Sequence, residues 1–236
     1  MQLTFGRLSG AMPHSALSGI VVQTFPRSSP TLQQSTGSQG MSALQDLKEE
    51  LSRFGTSNDA VEPARGKRML NIPPETGELL ALLVHATRAR QVLEVGTSNG
   101  YSTLWLAEAV IAIGGHVTTL EHAEDKTALA AANFVRAGLQ AHITQVLGDA
   151  GAWLETADDG NVDLLFLDSD RSAYARWWPQ LRRVLKPGTG LMVVDNATSH
   201  ATEMADFMQA VRADISFRCS EVPVGNGQSM AVRVAD

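Results

Sequence analysis

A chain of 236 residues, 44% hydrophobic and 19% charged, is long enough for one well-cored α/β domain and too short for two ordinary ones with linkers. Its 25 acidic and 19 basic residues leave a net charge of −6, which argues against nucleic acid as a partner, and no run reaches the ~20 apolar residues of a membrane span. One cysteine, Cys219, excludes an internal disulfide and a multi-cysteine zinc site; this suits a cytoplasmic protein, and Cys219 itself reads as a small apolar residue on a late strand.

Residues 1–40 contain Arg7 and Arg27 but no Asp or Glu, and are rich in Ser, Thr, Gln, Gly and Pro. Such a segment buries too little apolar surface to offset its chain entropy. It is expected to be a disordered tail or an upstream-start extension before Met41, with organelle import as the minor alternative. The domain is expected over 41–236, with a helical part at 41–88 and a cofactor-binding core at 89–236. Ser42 and Gln45 read as a capping box, after which Leu44, Leu47, Leu51 and Phe54 recur at helical spacing until Gly55 is expected to stop the helix. That apolar face needs a cover, and a homodimer would supply one. Pro73 and Pro74 open a second helix through Leu79, Leu80, Leu83 and Val84.

From there strands and helices alternate. The predicted strands are 91–95, 116–120, 143–147, 162–167 and 191–194, with helices near 102–113, 125–137, 151–156, 172–185 and 202–213 between and after them. This order predicts a mostly parallel sheet covered by helices on both faces. Two further strands, 215–222 and 229–234, flank Val224-Gly225-Asn226-Gly227, a turn short enough to join only antiparallel neighbours.

The chemistry concentrates at the ends of these strands. Gln91–Ser102 reads QVLEVGTSNGYS, an apolar strand running into E-x-G-x-x-x-G and a helix. Gly96 and Gly100 lack the spacing of the dinucleotide fingerprint, and Thr97, Ser98 and Asn99 fill the turn between them. An acidic Glu94 beneath the turn would repel a diphosphate and welcome a sulfonium or ammonium. Glu121 ends the next strand, 25 residues after Gly96, where a carboxylate can take both hydroxyls of a ribose. Asp168 closes VDLLFLD, and Asp195 closes GLMVVD with Asn196 directly after it. Two carboxylates and an amide oxygen form a hard-oxygen set suited to Mg²⁺, Ca²⁺ or Mn²⁺ rather than Zn²⁺. Taken singly, each aspartate could equally cap the loop that follows it.

Together these motifs resemble the class I methyltransferases that use S-adenosyl-L-methionine. FLDSDRSAY followed by VVDN resembles, more narrowly, their cation-dependent O-methyltransferases of the catechol and caffeoyl-CoA types. The resemblance runs from about Met69 to the C-terminus and implies a Rossmann-like, seven-stranded sheet ending in an antiparallel hairpin. It implies Asp168, Asp195 and Asn196 as ligands of a divalent cation, Mg²⁺ first. It further implies Glu94 and Ser102 at the methionine end of the cofactor, Glu121 at the ribose, and Asp149 with Ala150 at the adenine. Gly96, Thr97, Ser98, Gly100 and Asp168 would also border the cofactor, and His122 either packs on the adenine or is a plain surface residue. The acceptor is expected to be a small phenol or vicinal diol, with Asp168 and Arg171 at the reacting groups.

Two departures stand out. The family commonly has lysine where this chain has Arg171, and a guanidinium cannot surrender a proton. The insertion that usually follows the Asp-Asn pair is shortened to Ala197–Ala201, so one acceptor wall must come from elsewhere: the N-terminal helix, Met69 and Leu70, Trp177 and Trp178, or another subunit. The alternatives left open are a metal-independent methyltransferase on another acceptor and a cofactor-binding protein that has lost turnover. An NAD-linked oxidoreductase is disfavoured by the glycine spacing.

Overall fold

The structure is a computed structural model that describes residues 19–24 and 37–234. Its strands are β1 (Val21–Thr24), β2 (Gln91–Val95), β3 (His116–Glu121), β4 (Ile143–Leu147), β5 (Leu164–Leu167), β6 (Leu191–Val194), β7 (Phe217–Val222) and β8 (Gln228–Arg233). The helices are α1 (Gly37–Val61), α2 (Pro74–Thr87), α3 (Tyr101–Ile111), α4 (Glu124–Ala137), α5 (Ala150–Thr156), α6 (Tyr174–Val184) and α7 (Ala205–Ala213). One sheet runs in the order β1-β4-β3-β2-β5-β6-β8-β7. Strands β2 to β6 are mutually parallel, while β8 enters antiparallel between β6 and β7. From β2 the chain moves out to β3 and β4 on one side and later returns to β5 on the other. Such a reversal opens a crevice at the carboxyl ends of the strands, and the site lies there.

Side-chain alternation builds a core on each face. Val92, Leu164, Phe166, Leu191 and Val193 face the layer of α1 to α4, whereas Leu93, Val95, Leu165, Leu167, Met192 and Val194 face α5 to α7. Val162 keeps only an isolated bridge to Leu185, so β5 starts two residues later than the apolar run suggests.

The sheet has eight strands where seven are expected, and the additional one falls in the segment expected to stay outside the domain. Val21–Thr24 pairs antiparallel with β4, Val21 opposite Leu147. Ile20 and Val22 pack on the cluster that contains Val146 and Leu154. The polar flanks hide a short apolar patch that covers an otherwise open sheet edge. Residues 1–18 and 25–36, which make up most of that segment, lie outside the described residues.

Helix α1 also differs from expectation. It begins before Ser42 and passes through Gly55 without stopping. A Cβ at Gly55 would collide with the Asn71 side chain, whose Nδ2 donates to the Leu51 carbonyl at 2.9 Å. The glycine thus permits a close approach rather than ending the helix. Leu44, Leu47 and Leu51 are buried in the chain's own core, and Phe54 is 46% exposed. Lys48 adds a polar anchor, its Nζ lying 2.8 Å from Glu108 Oε2 and 3.5 Å from the centroid of the Trp105 ring. Three of the four residues of the face that suggested a second copy are therefore covered within one chain.

Candidate active site

A cavity of about 1030 Å³ opens at the carboxyl ends of the parallel strands. It brings together Gly96, Thr97 and Ser98 from the first turn and Ser102 from α3, Glu121 and His122 at the end of β3, Asp149 and Ala150 after β4, and Asp168, Arg171, Asp195 and Asn196 after β5 and β6. Gly96 has φ +110°, and a Cβ there would strike the carbonyl oxygen of Asp168. Gly100 serves the packing behind the turn instead. It does not line the cavity, and its bare Cα leaves room for the Phe134 ring.

Glu94, expected at the methionine end of the cofactor, lies behind the turn rather than on the cavity surface. Strand alternation turns it toward α3, where it is wholly buried and outside the cavity lining. Its Oε1 accepts from Ser102 Oγ at 2.6 Å, and its Oε2 accepts from Thr103 Oγ1 at 2.5 Å and Thr119 Oγ1 at 2.6 Å. Thr97 and Thr119 hydroxyls meet at 2.5 Å, and because the Thr119 proton goes to Glu94, Thr97 is the donor. Burial raises the Glu94 pKa to about 7, against the pull of these hydroxyls. Glu94 ties β2, β3 and α3 together under the turn, and Ser102 reaches the cavity from α3.

Glu121 is 7% exposed and already heavily engaged. Its Oε2 accepts from Ser98 N–H at 2.9 Å, and its Oε1 from the N–H groups of His122 at 2.9 Å and Ala123 at 3.0 Å. A carboxylate has about four acceptor positions. Three of them are taken by backbone amides, so Glu121 shapes the turn and keeps about one acceptor position toward the cavity. Asp149 caps α5, accepting from Ala152 N–H at 2.8 Å, and so fixes the loop that borders the same cavity. Trp177 lines this wall, while Trp178 packs against Phe207 and Phe217 with ring centroids at 5.9 and 5.0 Å.

At the other end stand the two aspartates. Burial raises the Asp168 carboxyl well above its usual range, and the charges of Asp195 and Glu94 push it the same way. Burial also raises Asp195, against hydrogen bonds from Gln228 and Asn196. Gln228 Nε2 donates to Asp195 Oδ1, and Asn196 Nδ2 donates to Oδ2 at 2.5 Å. Asn196 holds this pose with φ +63°, a left-handed backbone that asparagine tolerates better than most residues. Arg171, 8% exposed, donates from Nε to Glu203 Oε2 at 2.9 Å. It supplies positive charge beside the aspartates while being held from the next turn.

Several lining residues have no signal in the sequence: Asp59, Arg65, Arg176 and Glu203 all border the cavity, and none belongs to a motif. Leu70, one of the candidate walls, and Asn226 of the hairpin turn border it too. Arg65, Gly66, Met69, Leu70, Asn71 and Ile72, together with Asn226 of the β7–β8 turn, line the same cavity as the aspartates. Gln228 lies behind the lining and could have been found: it is a polar residue at the start of an apolar strand, carried by the hairpin register to the side of Asp195.

Fold and cavity together define a Rossmann-like class I methyltransferase architecture. A family model described as O-methyltransferase matches residues 41–234, and the chain belongs to that family. A catechol O-methyltransferase of Mycobacterium tuberculosis is 36% identical over 59% of this chain and 61% of its own length. A protein of the same name from Niastella koreensis is 34% identical over 56% and 60%. The matched segment thus spans about six-tenths of these two relatives. An O-methyltransferase of Bacillus cereus, solved in complex with SAH, superposes with TM-score 0.66 at 25% identity, covering 80% of this chain and 90% of that one.

Proposed function

We propose that this protein transfers the methyl group of S-adenosyl-L-methionine to a hydroxyl of a small phenol or vicinal diol, assisted by a divalent cation. The observation that carries this reading is the convergence of Asp168 and Asp195, each raised in pKa by burial, on a cavity that also holds the glycine turn and Glu121. The donor set fits a hard cation: two carboxylates and the Asn196 amide, all oxygen donors. Among the described residues no group of three or more His, Cys, Asp or Glu could hold a metal, so the site depends on that amide. When bound, the cation would favour the ionised form of a phenol whose free pKa is about 10.

The chain's own residues do the rest. The turn at Gly96–Ser98 and the carboxylate of Glu121 seat the nucleoside, and Asp149 with Ala150 border its base. The acceptor oxygen attacks the sulfonium methyl, the carbon–sulfur bond breaks, and S-adenosylhomocysteine leaves as the neutral thioether. Arg171 stabilises the developing oxyanion without taking its proton, which passes to water or buffer.

The test combines binding and turnover. Calorimetry should show S-adenosylhomocysteine binding, with Glu121→Ala weakening it by roughly tenfold or more as a charged acceptor is lost. Catechol methylation should stop in chelator and return with Mg²⁺. Full activity in chelator removes the metal, and preference for NAD over S-adenosylhomocysteine removes the cofactor assignment.

A further inference from the structure

Gln228 is wholly buried at the first position of β8 and lies outside the cavity lining. A side-chain amide with two donor protons and an acceptor oxygen is costly to bury unless each finds a partner. Here the nitrogen is satisfied: Nε2 donates to Asp195 Oδ1 and, at 3.4 Å, to Thr76 Oγ1. The oxygen is not, because among the described residues no group donates to Gln228 Oε1. Turning the amide over would set Oε1 against Oδ1, two acceptors with no proton between them when Asp195 is ionised. An apolar side chain of similar volume would avoid the penalty of the unpaired oxygen. The benefit of a glutamine at this position therefore lies at Asp195 and not in packing.

The backbone holds the two residues together from both ends. Val194 pairs with Ser229 across β6 and β8, so Asp195 and Gln228 are the next residues to face each other. Beyond them the Ala197 N–H donates to the Gly227 carbonyl at 2.8 Å. Gly227, at φ +86°, lies so close to Thr198 that a Cβ would strike its Oγ1. The hairpin is thus pinned before and after the Asp195–Asn196 pair. Within that frame Gln228 takes Oδ1 from behind, and Asn196 Nδ2 donates to Oδ2 at 2.5 Å. The oxygen left for a ligand is Oδ2, beside Asn196.

We propose that Gln228 is a positioning residue of the cation site: by holding Asp195 Oδ1 from behind, it fixes the carboxylate so that Oδ2 and Asn196 serve the cation together. The inference rests on the cation reading proposed above. Gln228 acts only through Asp195, and hydrogen-bond partners of ligating carboxylates change metal affinity by about 10 to 100-fold when they are lost.

The test uses Mn²⁺ as the probe, titrated into the full chain with S-adenosylhomocysteine and no acceptor, the free ion being followed by electron paramagnetic resonance. Gln228→Met keeps the volume and removes both donors, whereas Gln228→Asn keeps an amide but withdraws it by one methylene. Each should weaken Mn²⁺ by about 10 to 100-fold. S-adenosylhomocysteine affinity, measured by calorimetry without metal, should stay within about twofold. Where one variant fails to fold, the other decides. A folded variant that binds Mn²⁺ as tightly as the parent overturns the assignment and leaves the cation reading standing. Equal losses of Mn²⁺ and S-adenosylhomocysteine affinity overturn it as well, since they mark a structural role alone. A parent that binds S-adenosylhomocysteine but no Mn²⁺ removes the cation reading, and the role of Gln228 with it.

Discussion

Asp168 and Asp195 stand in register: Leu167 pairs with Val194, so the next residue on each of the neighbouring strands leaves the sheet on the same face. Adjacent carboxylates in a buried place raise each other's pKa, and the divalent cation proposed here would remove the penalty. Asp195→Ala should therefore lower Mg²⁺-supported methylation by at least about 100-fold. Its affinity for S-adenosylhomocysteine should change little, because Glu121 and Asp149 are untouched. Activity and S-adenosylhomocysteine calorimetry on one preparation check both halves. An equally active variant would remove Asp195 from the metal site.

Glu94 predicts a pH dependence of stability. Its folded pKa of about 7 lies above the free value of 4.5, so the folded state binds the proton more tightly. The contribution is complete below pH 4.5 and is lost as pH rises to 7. In Glu94→Gln that dependence is absent. The stability advantage of the parent over the variant should decline across this window, by at most about 1.4 kcal/mol per pH unit. Urea unfolding at the two ends of the window measures it, and an advantage that does not change with pH would contradict the assignment.

Arg171 and Glu203 form a pair whose members are not equivalent. Arg171→Met should slow turnover by about 10 to 100-fold, as expected when one electrostatic contact at the reacting oxygen is lost. Glu203→Gln should cost less, since the guanidinium keeps its charge and loses only an anchor. Arg171→Lys should retain appreciable activity. Normal turnover in Arg171→Met would reduce the residue to a packing role.

Deleting residues 1–24 should destabilise the domain, contrary to what composition suggests for a polar tail. Ile20 and Val22 would leave the cluster around Val146 and Leu154, and β4 would become an open edge. Loss of two partly buried aliphatic side chains corresponds to roughly 1 to 3 kcal/mol. A scanning-calorimetry midpoint several degrees lower is the expected result. An unchanged midpoint would mean that β1 contributes nothing to the fold in solution.

The order of elements is legible because period and punctuation agree along residues 89–234: apolar runs, the Lys186-Pro187-Gly188 break, and a turn too short for a crossover. The site is legible where a residue type ends a strand, as with Glu121, Asp168 and Asp195. It is not legible where function depends on contacts between distant segments. Asp59 has no local signal that it binds the amides of Met69 and Leu70. Glu94 is legible only in part: its position in the motif is plain, but its burial among the hydroxyls of Ser102, Thr103 and Thr119 depends on the pleat and on how α3 packs. Gly55 reads as a stop because helix propensity is local, while its contact with Asn71 is not.

The contact of Gly96 with the Asp168 carbonyl also bears on protein engineering. The two backbones touch at a point that admits no side chain, so the glycine turn and the first aspartate cannot be moved independently. A mutagenesis library aimed at new acceptors gains nothing from varying position 96. Diversity belongs at 65, 70 and 226, where side chains border the same chamber without carrying the contact on which its two halves hinge.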